Sequence, residues 1–414
     1  MRNTGFIWIL AGVMVVLDFY VFQAIKAIAP ASPKLRMGIF IFYWLIAVAA
    51  LTVLILLPSI NYENWPKKAR TYIFATIVGL FFSKLVASIF FIVDDIRRGS
   101  MWTIGKLFSN PSLDVSQSAQ GITRSNFLTW LGIAVGGGLF GTLVYGFGNK
   151  YRYQLNKVSL AFKNLPKNFK GLKIIHISDI HSGSFMDKAA VQKGVEKILA
   201  EKPDLILFTG DLVNDRSVEM NEYMDVFSKL RAPLGVFSTL GNHDYGDYVR
   251  WESETAKSAN LERLKQIHDE LGWRLLMNEH VVVEKGEDAI AILGIENWSA
   301  RGNFPKYGKM REAHTGSEKY PFKILLSHDP SHWKAEVVTK YKDVDLMLAG
   351  HTHGMQFGVE IPGFRWSPVQ YMYKQWAGLY ESESQKLYVN RGFGFIGYPG
   401  RVGILPEITV IELS

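Results

Sequence analysis

The first 150 residues carry four long apolar runs, Phe6–Ile25, Gly38–Pro58, Tyr72–Val93 and Phe127–Phe147, each 20–22 residues long. At about 1.5 Å per residue, each run reaches across a hydrocarbon core of roughly 30 Å. Backbone in lipid must satisfy its own hydrogen bonds, so residues 1–150 are predicted to form a transmembrane region of four helices. A cleaved signal peptide does not fit, because the first run is too long and three more follow. Residues 151–414 have mixed, globular composition and are expected to fold as a second domain.

Two ionisable side chains lie inside the runs, Asp18 and Lys84. Each stands twelve residues past the start of its run, and the first and third spans point the same way. They are expected at similar depth, where an ion pair relieves the cost of burying either charge alone. The fourth run holds small-xxx-small spacings at Gly132/Gly136 and Gly137/Gly141, which favour close helix packing.

An even number of spans puts the N-terminus and the C-terminal domain on one side of the membrane. Lys and Arg in the flanking segments number seven on one side against six on the other, which sets no orientation under the positive-inside rule. The stretch TRSNFLTWLGIAVGG, residues 123–137, resembles a twin-arginine export signal with Ser125 in place of the second arginine. It favours an extracytoplasmic domain on a bacterial cytoplasmic (inner) membrane.

The net charge of +8 suits anionic lipid headgroups, and with no basic run of five or more residues a nucleic-acid partner is not expected. The chain contains no cysteine, which removes disulfides, thiolate metal sites and thiol nucleophiles.

From Lys173 onward short apolar strands alternate with helical stretches. KIIHISDIH, LILFTGD and GVFSTL read as strands, with helices near 187–201 and 218–230 between them. HVVVEKGEDAIAILGI reads as a hairpin turning at Lys285–Asp288, and FKILLS, VDLMLAG, KLYVN and EITVIEL follow as strands. The fold class expected is α/β, a two-layer β core flanked by helices.

Five polar clusters fall where strands end: Asp179–Ile180–His181; Gly210–Asp211–Leu212–Val213–Asn214; Gly241–Asn242–His243–Asp244; His328 in LLSHDP; and Gly350–His351–Thr352–His353. Sites in open α/β folds gather at the carboxyl ends of strands, so the five can converge. In extended backbone residues i and i+2 point the same way, so Asp179 with His181, and His351 with His353, can each share a metal. His, Asp and Asn without thiolates suit two divalent ions, manganese, iron or zinc, with manganese favoured. Asp211 has two carboxylate oxygens and can bridge them. Such a pair, roughly 3.5–4 Å apart, clamps a phosphate and activates water at neutral pH.

This order of motifs resembles the calcineurin-like metallophosphoesterase superfamily, whose pattern is DxH, GDxxD/N, GNHD/E, a lone His and GHxH. The resemblance covers roughly residues 171–414 and implies a four-layer αββα sandwich. The run YVNRGFG…GRVGILPEITVIEL is further similar to a bacterial membrane-associated branch that includes UDP-2,3-diacylglucosamine hydrolases and cell-envelope phosphodiesterases. Carried onto this sequence, the resemblance implies one metal held by Asp179, His181, Asp211 and His353. It implies a second held by Asp211, Asn242, His328 and His351. His243 would act as the catalytic acid beside the phosphate, and Asp244 would orient its imidazole. Asn214 would steady the metal loop from outside the ligand set, with His176 as a supporting or core histidine.

The loop 298–320 carries Arg301, Lys306, Lys309, Arg311 and Lys319 and is expected to cap the site and grip anionic headgroups. Arg301, with Arg391 and Arg401 in the glycine-rich tail, is an expected substrate contact. His268, His280, His314 and His332 have no ligand partner at useful spacing and read as surface or loop residues. The activity expected is that of a membrane-anchored, two-metal phosphodiesterase or pyrophosphatase acting on a phosphorylated, lipid-linked substrate. A membrane-tethered phosphoprotein or nucleotide phosphohydrolase is the alternative. A scaffold without catalysis is disfavoured, because none of the seven ligands is missing. The oligomeric state is left open by sequence.

Overall fold

The computed structural model describes residues 4–56, 65–108, 124–302, 304 and 306–414. It forms two compact units, Met1–Tyr145 and Gly146–Ser414.

The first unit holds helices α1 (Thr4–Ile28), α2 (Pro33–Leu56), α3 (Lys67–Phe108) and α4 (Arg124–Gly146). All four are long and apolar enough to cross a membrane, and the chain is an integral membrane protein. Residues 57–58, the expected end of the second span, lie outside the described residues. Lys84 on α3 donates to Asp18 Oδ1 on α1, and the Tyr43 hydroxyl on α2 donates to the Asp18 carbonyl at 2.8 Å. Equal depth thus does bring the two charges together, and both are largely buried.

A Cβ on Gly136 would stand 2.7 Å from the Ser83 carbonyl oxygen, and one on Gly132 would stand 3.0 Å from that of Ala87. Only glycine lets the α4 backbone lie this close to α3. Gly137 and Gly141 face open space, so the second small-residue pair has no such role. At 42 residues α3 is about 63 Å long, twice a hydrocarbon core. Its apolar run stops at Val93, but the helix does not. Asp94 is paired with Arg97 at 2.7 Å and accepts from Ser125, and no proline follows to break the helix before Phe108.

The second unit contains fourteen strands among its described residues. They are β1 (Gln154–Leu160), β2 (Lys173–Ile177), β3 (Leu205–Phe208), β4 (Val236–Ser238), β5 (Arg274–Leu275), β6 (Glu279–Lys285), β7 (Asp288–Gly294), β8 (Lys323–Leu326), β9 (Leu346–Ala349), β10 (Val359–Ile361), β11 (Phe364–Trp366), β12 (Gly378–Ser382), β13 (Gln385–Val389) and β14 (Glu407–Leu413). One six-stranded sheet runs β1-β14-β2-β3-β4-β5 and the other β12-β13-β9-β8-β7-β6. Strands β2 to β5 are mutually parallel, as are β7, β8, β9 and β13, while β14 runs against β2.

The period of two along each strand decides the layers. Ile174, Leu205 and Leu207 face inward and meet Ile292, Ile324, Leu326, Leu346 and Leu348 of the other sheet. Their neighbours Ile175, Ile177, Ile206 and Phe208 face outward, against helices α5 (Lys188–Ala200), α6 (Met224–Phe227) and α7 (Glu254–Glu270). On the far face, Ala291, Leu293, Leu325 and Met347 pack under α8 (Met310–His314) and the helical turn Trp333–Val337. This is the four-layer αββα sandwich implied by the motif order. Both faces of the central parallel strands β2, β3, β8 and β9 are buried, which is why these strands read as continuous apolar runs.

Candidate metal centre

Five parallel strands, β2, β3, β4, β8 and β9, end on one side of the sandwich, and their C-terminal loops carry the motifs. The sequence expectation of extended i, i+2 pairs is not what brings the side chains together. Asp179, His181, Asp211, His351 and His353 all have left-handed backbone, with φ between 50° and 70°. Side chains other than Gly are strained there, and such clusters mark positions where the surrounding structure dictates the conformation. Asp and His tolerate the region better than most residues, so the ligand chemistry and the tight turns select the same residue types. Two glycines allow the loops to approach. A Cβ on Gly241 would lie 2.2 Å from Asp211 Oδ1, and one on Gly350 would lie 2.2 Å from Asp179 Oδ2.

The seven expected ligands meet. His353 Nε2 lies 3.1 Å from Asp179 Oδ1 and 3.0 Å from His181 Nε2. Asp211 Oδ2 stands between His181 Nε2 at 3.5 Å and His328 Nε2 at 3.1 Å. His351 Nδ1 lies 2.8 Å from Asn242 Oδ1, and the His328 and His351 rings are 5.1 Å apart. Two sets, Asp179–His181–His353 and Asp179–Asp211–His328, have ligand atoms mutually within 4.8 Å. Asp179 is therefore placed between the sets as well as Asp211.

The donor chemistry fits divalent ions. The facing nitrogens of His181 and His353 are both lone-pair donors unless a proton or cation lies between them. Burial disfavours a charged His328, yet the carboxylates of Asp211 and Asp179 overcome it and push the imidazole up to about 10. Burial would raise Asp211, but His328 and His243 hold it below the usual carboxylate range. The site's own carboxylates thus favour positive charge at this point, which a bound divalent ion would supply. Asn242 is oriented for its part, because its Nδ2 donates to the Tyr248 hydroxyl at 2.8 Å.

His243 is half-buried beside this cluster, its ring 5.0 Å from that of His181. Asp244 does not orient it. The Asp244 carboxylate accepts instead from the backbone N–H groups of Asp211, Leu212 and Gly241, each at 2.8 Å. The Asp244 side chain is fully buried, and its carboxylate is taken up by these loop N–H groups. Burial and the Asp211 charge push the Asp244 carboxyl up to about 7, against the pull of those N–H groups. The partner of His243 Nδ1 is the Asn214 carbonyl, at 2.7 Å. Asn214 also exchanges hydrogen bonds with Ser184, and its N–H donates to Glu219. His176 is fully buried, bonded to Thr209 Oγ1 at 2.9 Å, with burial pushing it down to about 4.

The three arginines expected at the substrate separate. Arg301 is exposed, with its guanidinium 6.0 Å from the Tyr373 ring. Arg391 and Arg401 are not available to a substrate, because buried guanidinium must be satisfied internally. Arg391 pairs with Glu407 at 2.6 Å and donates to Glu360 at 3.0 Å. Arg401 is fully buried and donates to the carbonyls of Arg391, Gly392, Gly394 and His353, tying the glycine-rich tail to the GHTH loop. Two histidines expected at the surface are also interior. His268 bonds Ser238 and His332 bonds Ser327, each at 3.0 Å and fully buried.

Sequence reasoning missed Tyr373, Asp329 and Phe304. The Tyr373 hydroxyl lies 3.0 Å from His351 Nε2 and donates to Asp329 Oδ2 at 3.2 Å. Phe304 sets its ring edge-on to His351, 4.9 Å between centroids. Asp329 adjoins His328 and was legible as a neighbour of a ligand; Tyr373 comes from a segment with no motif.

Residues 1–149 match the family model described as "Probable Calcineurin-like phosphoesterase, transmembrane domain", and residues 172–355 match "Calcineurin-like phosphoesterase". A zebrafish (Danio rerio) transmembrane protein with metallophosphoesterase domain is 29% identical over 324 residues, covering 76% of this chain and 69% of its own. The UDP-2,3-diacylglucosamine pyrophosphatase LpxG of Chlamydia trachomatis is 29% identical over 305 residues, 61% of this chain and 88% of its own. The phosphodiesterase YaeI of Escherichia coli is 29% identical over 266 residues, 63% of this chain and 88% of its own. The first model matches the first unit and the second lies within the other, so the chain carries a calcineurin-like phosphoesterase domain behind the transmembrane domain of such proteins and is a membrane-spanning phosphoric ester hydrolase.

Proposed function

We propose that the chain hydrolyses a phosphodiester or pyrophosphate bond in a lipid-linked substrate. One observation carries this reading: seven His, Asp and Asn side chains from five strand ends meet in a chain that also has four membrane-spanning helices. Asp179, His181, Asp211 and His353 would hold one divalent ion, and Asp211, Asn242, His328 and His351 the other. Manganese suits this set of oxygen and imidazole donors. When bound, the pair supplies positive charge to phosphoryl oxygens and makes water acidic enough to attack at neutral pH.

The chain's own residues do the remainder. Asp211 keeps the two halves in register, because its Oδ2 reaches His181 and His328 and its Oδ1 accepts the His243 backbone N–H at 2.9 Å. His243 has its Nδ1–H committed to the Asn214 carbonyl, which leaves Nε2 as the acid: only in the doubly protonated imidazolium form would it give a proton to the leaving oxygen. Phe304 and Tyr373 flank His351 and limit water on that side.

The lipid-linked substrate is favoured because a membrane-held site gains access to headgroups and little advantage for soluble molecules. The chlamydial relative is named for such a substrate, a UDP-sugar lipid. The test is a substrate panel with the purified, manganese-loaded protein in detergent: UDP-diacylglucosamine, a polyprenyl pyrophosphate, phospholipids, nucleotides and phosphopeptides. Higher kcat/KM on a lipid-linked member supports the reading, and preference for nucleotides or phosphopeptides contradicts it. We also propose an extracytoplasmic catalytic domain. A C-terminal alkaline phosphatase fusion should be active, and a fluorescent cytoplasmic reporter in its place would reverse the orientation.

A further inference from the structure

Eleven large apolar side chains of the catalytic unit are strongly exposed among the described residues, and seven of them fall between Met355 and Leu379. Ile361 is 58% exposed, Phe364 54% and Tyr371 78%. Exposed apolar side chains concentrated in one short segment of an otherwise polar domain point to a surface that something covers. Strands β10 and β11 pair only with each other, and a two-stranded ribbon in water is marginal without a partner surface.

The segment is coupled to the metal centre at both ends. It leaves two residues after His353 and returns at Tyr373, whose hydroxyl is 3.0 Å from His351 Nε2. Its single acid, Glu360, is engaged by Arg391. Behind Tyr373, an open pocket of about 410 Å³ is lined by Arg301, Lys334 and Lys374. None of these three cations has a carboxylate partner among the described residues. Exposed apolar residues, aromatic residues in the same segment and the cations of the pocket that Tyr373 lines are the three kinds of group that an anionic bilayer takes up at its acyl, interfacial and headgroup levels. A second copy of the chain would offer like charge to these cations, whereas a lipid surface offers the opposite charge.

We infer that residues 355–379 dock the catalytic domain onto a lipid bilayer. Ile361 and Phe364 enter the acyl boundary, Trp366 and Tyr371 sit at headgroup depth, and Arg301, Lys334 and Lys374 meet anionic headgroups. The inference rests on the lipid-substrate reading only for its consequence, that headgroup phosphates are delivered to the side of the site closed by Tyr373.

The chain has no native cysteine, so single-cysteine variants can be labelled cleanly. An environment-sensitive fluorophore is placed in the full-length protein at Ile361→Cys, Phe364→Cys, Val218→Cys and Val282→Cys. Each variant is reconstituted in vesicles of phosphatidylcholine and phosphatidylglycerol and exposed to doxyl-labelled lipid or to aqueous iodide. Labels at 361 and 364 should be quenched by the doxyl lipid, at a depth of roughly 5–10 Å, and protected from iodide. Labels at 218 and 282 should behave in the opposite way. Equal iodide quenching at all four positions overturns the inference. Protection from both quenchers, with disulfide cross-linking between copies of the Ile361→Cys variant, assigns the patch to a second copy and overturns it too. The measurement needs no turnover, so its failure is separate from failure of the hydrolysis assays.

Discussion

His243 takes its orientation from Asn214: the imidazole Nδ1 lies 2.7 Å from the Asn214 carbonyl oxygen. A main-chain carbonyl fixes the tautomer with its proton on Nδ1 and directs the other nitrogen away. The His243 ring also lies 4.6 Å from that of Tyr248, which holds it from one side. His243→Ala is therefore expected to lower kcat by about 10²–10⁴-fold while metal content stays at the wild-type level. A loss below tenfold, measured on a chromogenic diester, would remove His243 from the chemistry.

Asp244 has a different task, which predicts a different phenotype. Three backbone N–H groups point at its carboxylate at 2.8 Å, and Val213 N–H is 3.3 Å away. Asp244→Asn puts an amide N–H against some of those donors. It should cost about 3 kcal/mol or more in stability, with a matching drop in Tm and loss of bound metal. Wild-type stability with only kcat reduced would instead support the imidazole-orienting role read from sequence.

In the membrane unit, Lys84 donates to Asp18 with both groups largely buried. Lys84→Met leaves a carboxylate unpaired and should destabilise the detergent-solubilised chain by roughly 3–5 kcal/mol. Adding Asp18→Leu removes the orphan, so the double variant should be more stable than the Lys84→Met single variant. Additive losses in Tm would show that the two residues do not act as a pair.

Acid sensitivity has an identifiable source in His268. It lies fully buried between Phe208 and Trp273, its Nε2 has no partner, and burial pushes it down to about 3. The unfolded chain takes up a proton below about pH 6.5, and the folded chain does not until near pH 3. Between those values the unfolded state binds more protons, so stability falls as pH falls, by about 1.4 kcal/mol per pH unit for this group. In His268→Leu, the decline in Tm from pH 6 to pH 4 should be shallower than in the wild type. An unchanged slope would assign the acid sensitivity elsewhere.

The sequence carried the four spans, the strands bearing motifs and the identity of the residues that meet, because each rests on local pattern or on residue chemistry. Turn geometry was not legible. Nothing in DIH or HTH announces left-handed backbone at Asp179, His181, His351 and His353, because that conformation is imposed by the loops packed around them. Arg391 and Arg401 were misread for a related reason. An arginine in a glycine-rich tail looks exposed until the fold supplies Glu407 and a ring of carbonyls. Helix α7 and strands β1 and β10 to β12 went unread. The apolar pattern of α7 is diluted by charge, and β10 to β12 form outside the main alternation of strands and helices.

Central to the proposed function is that Asp211 would be shared by two bound metal ions in one hydrolytic centre. The most direct measurement is metal content per chain, with diester hydrolysis, for the wild type and for Asp211→Asn at equal folding by circular dichroism. The account predicts two manganese equivalents in the wild type, about one or fewer in the variant, and loss of hydrolysis by several orders of magnitude. An Asp211→Asn protein that keeps both ions and its activity would contradict it.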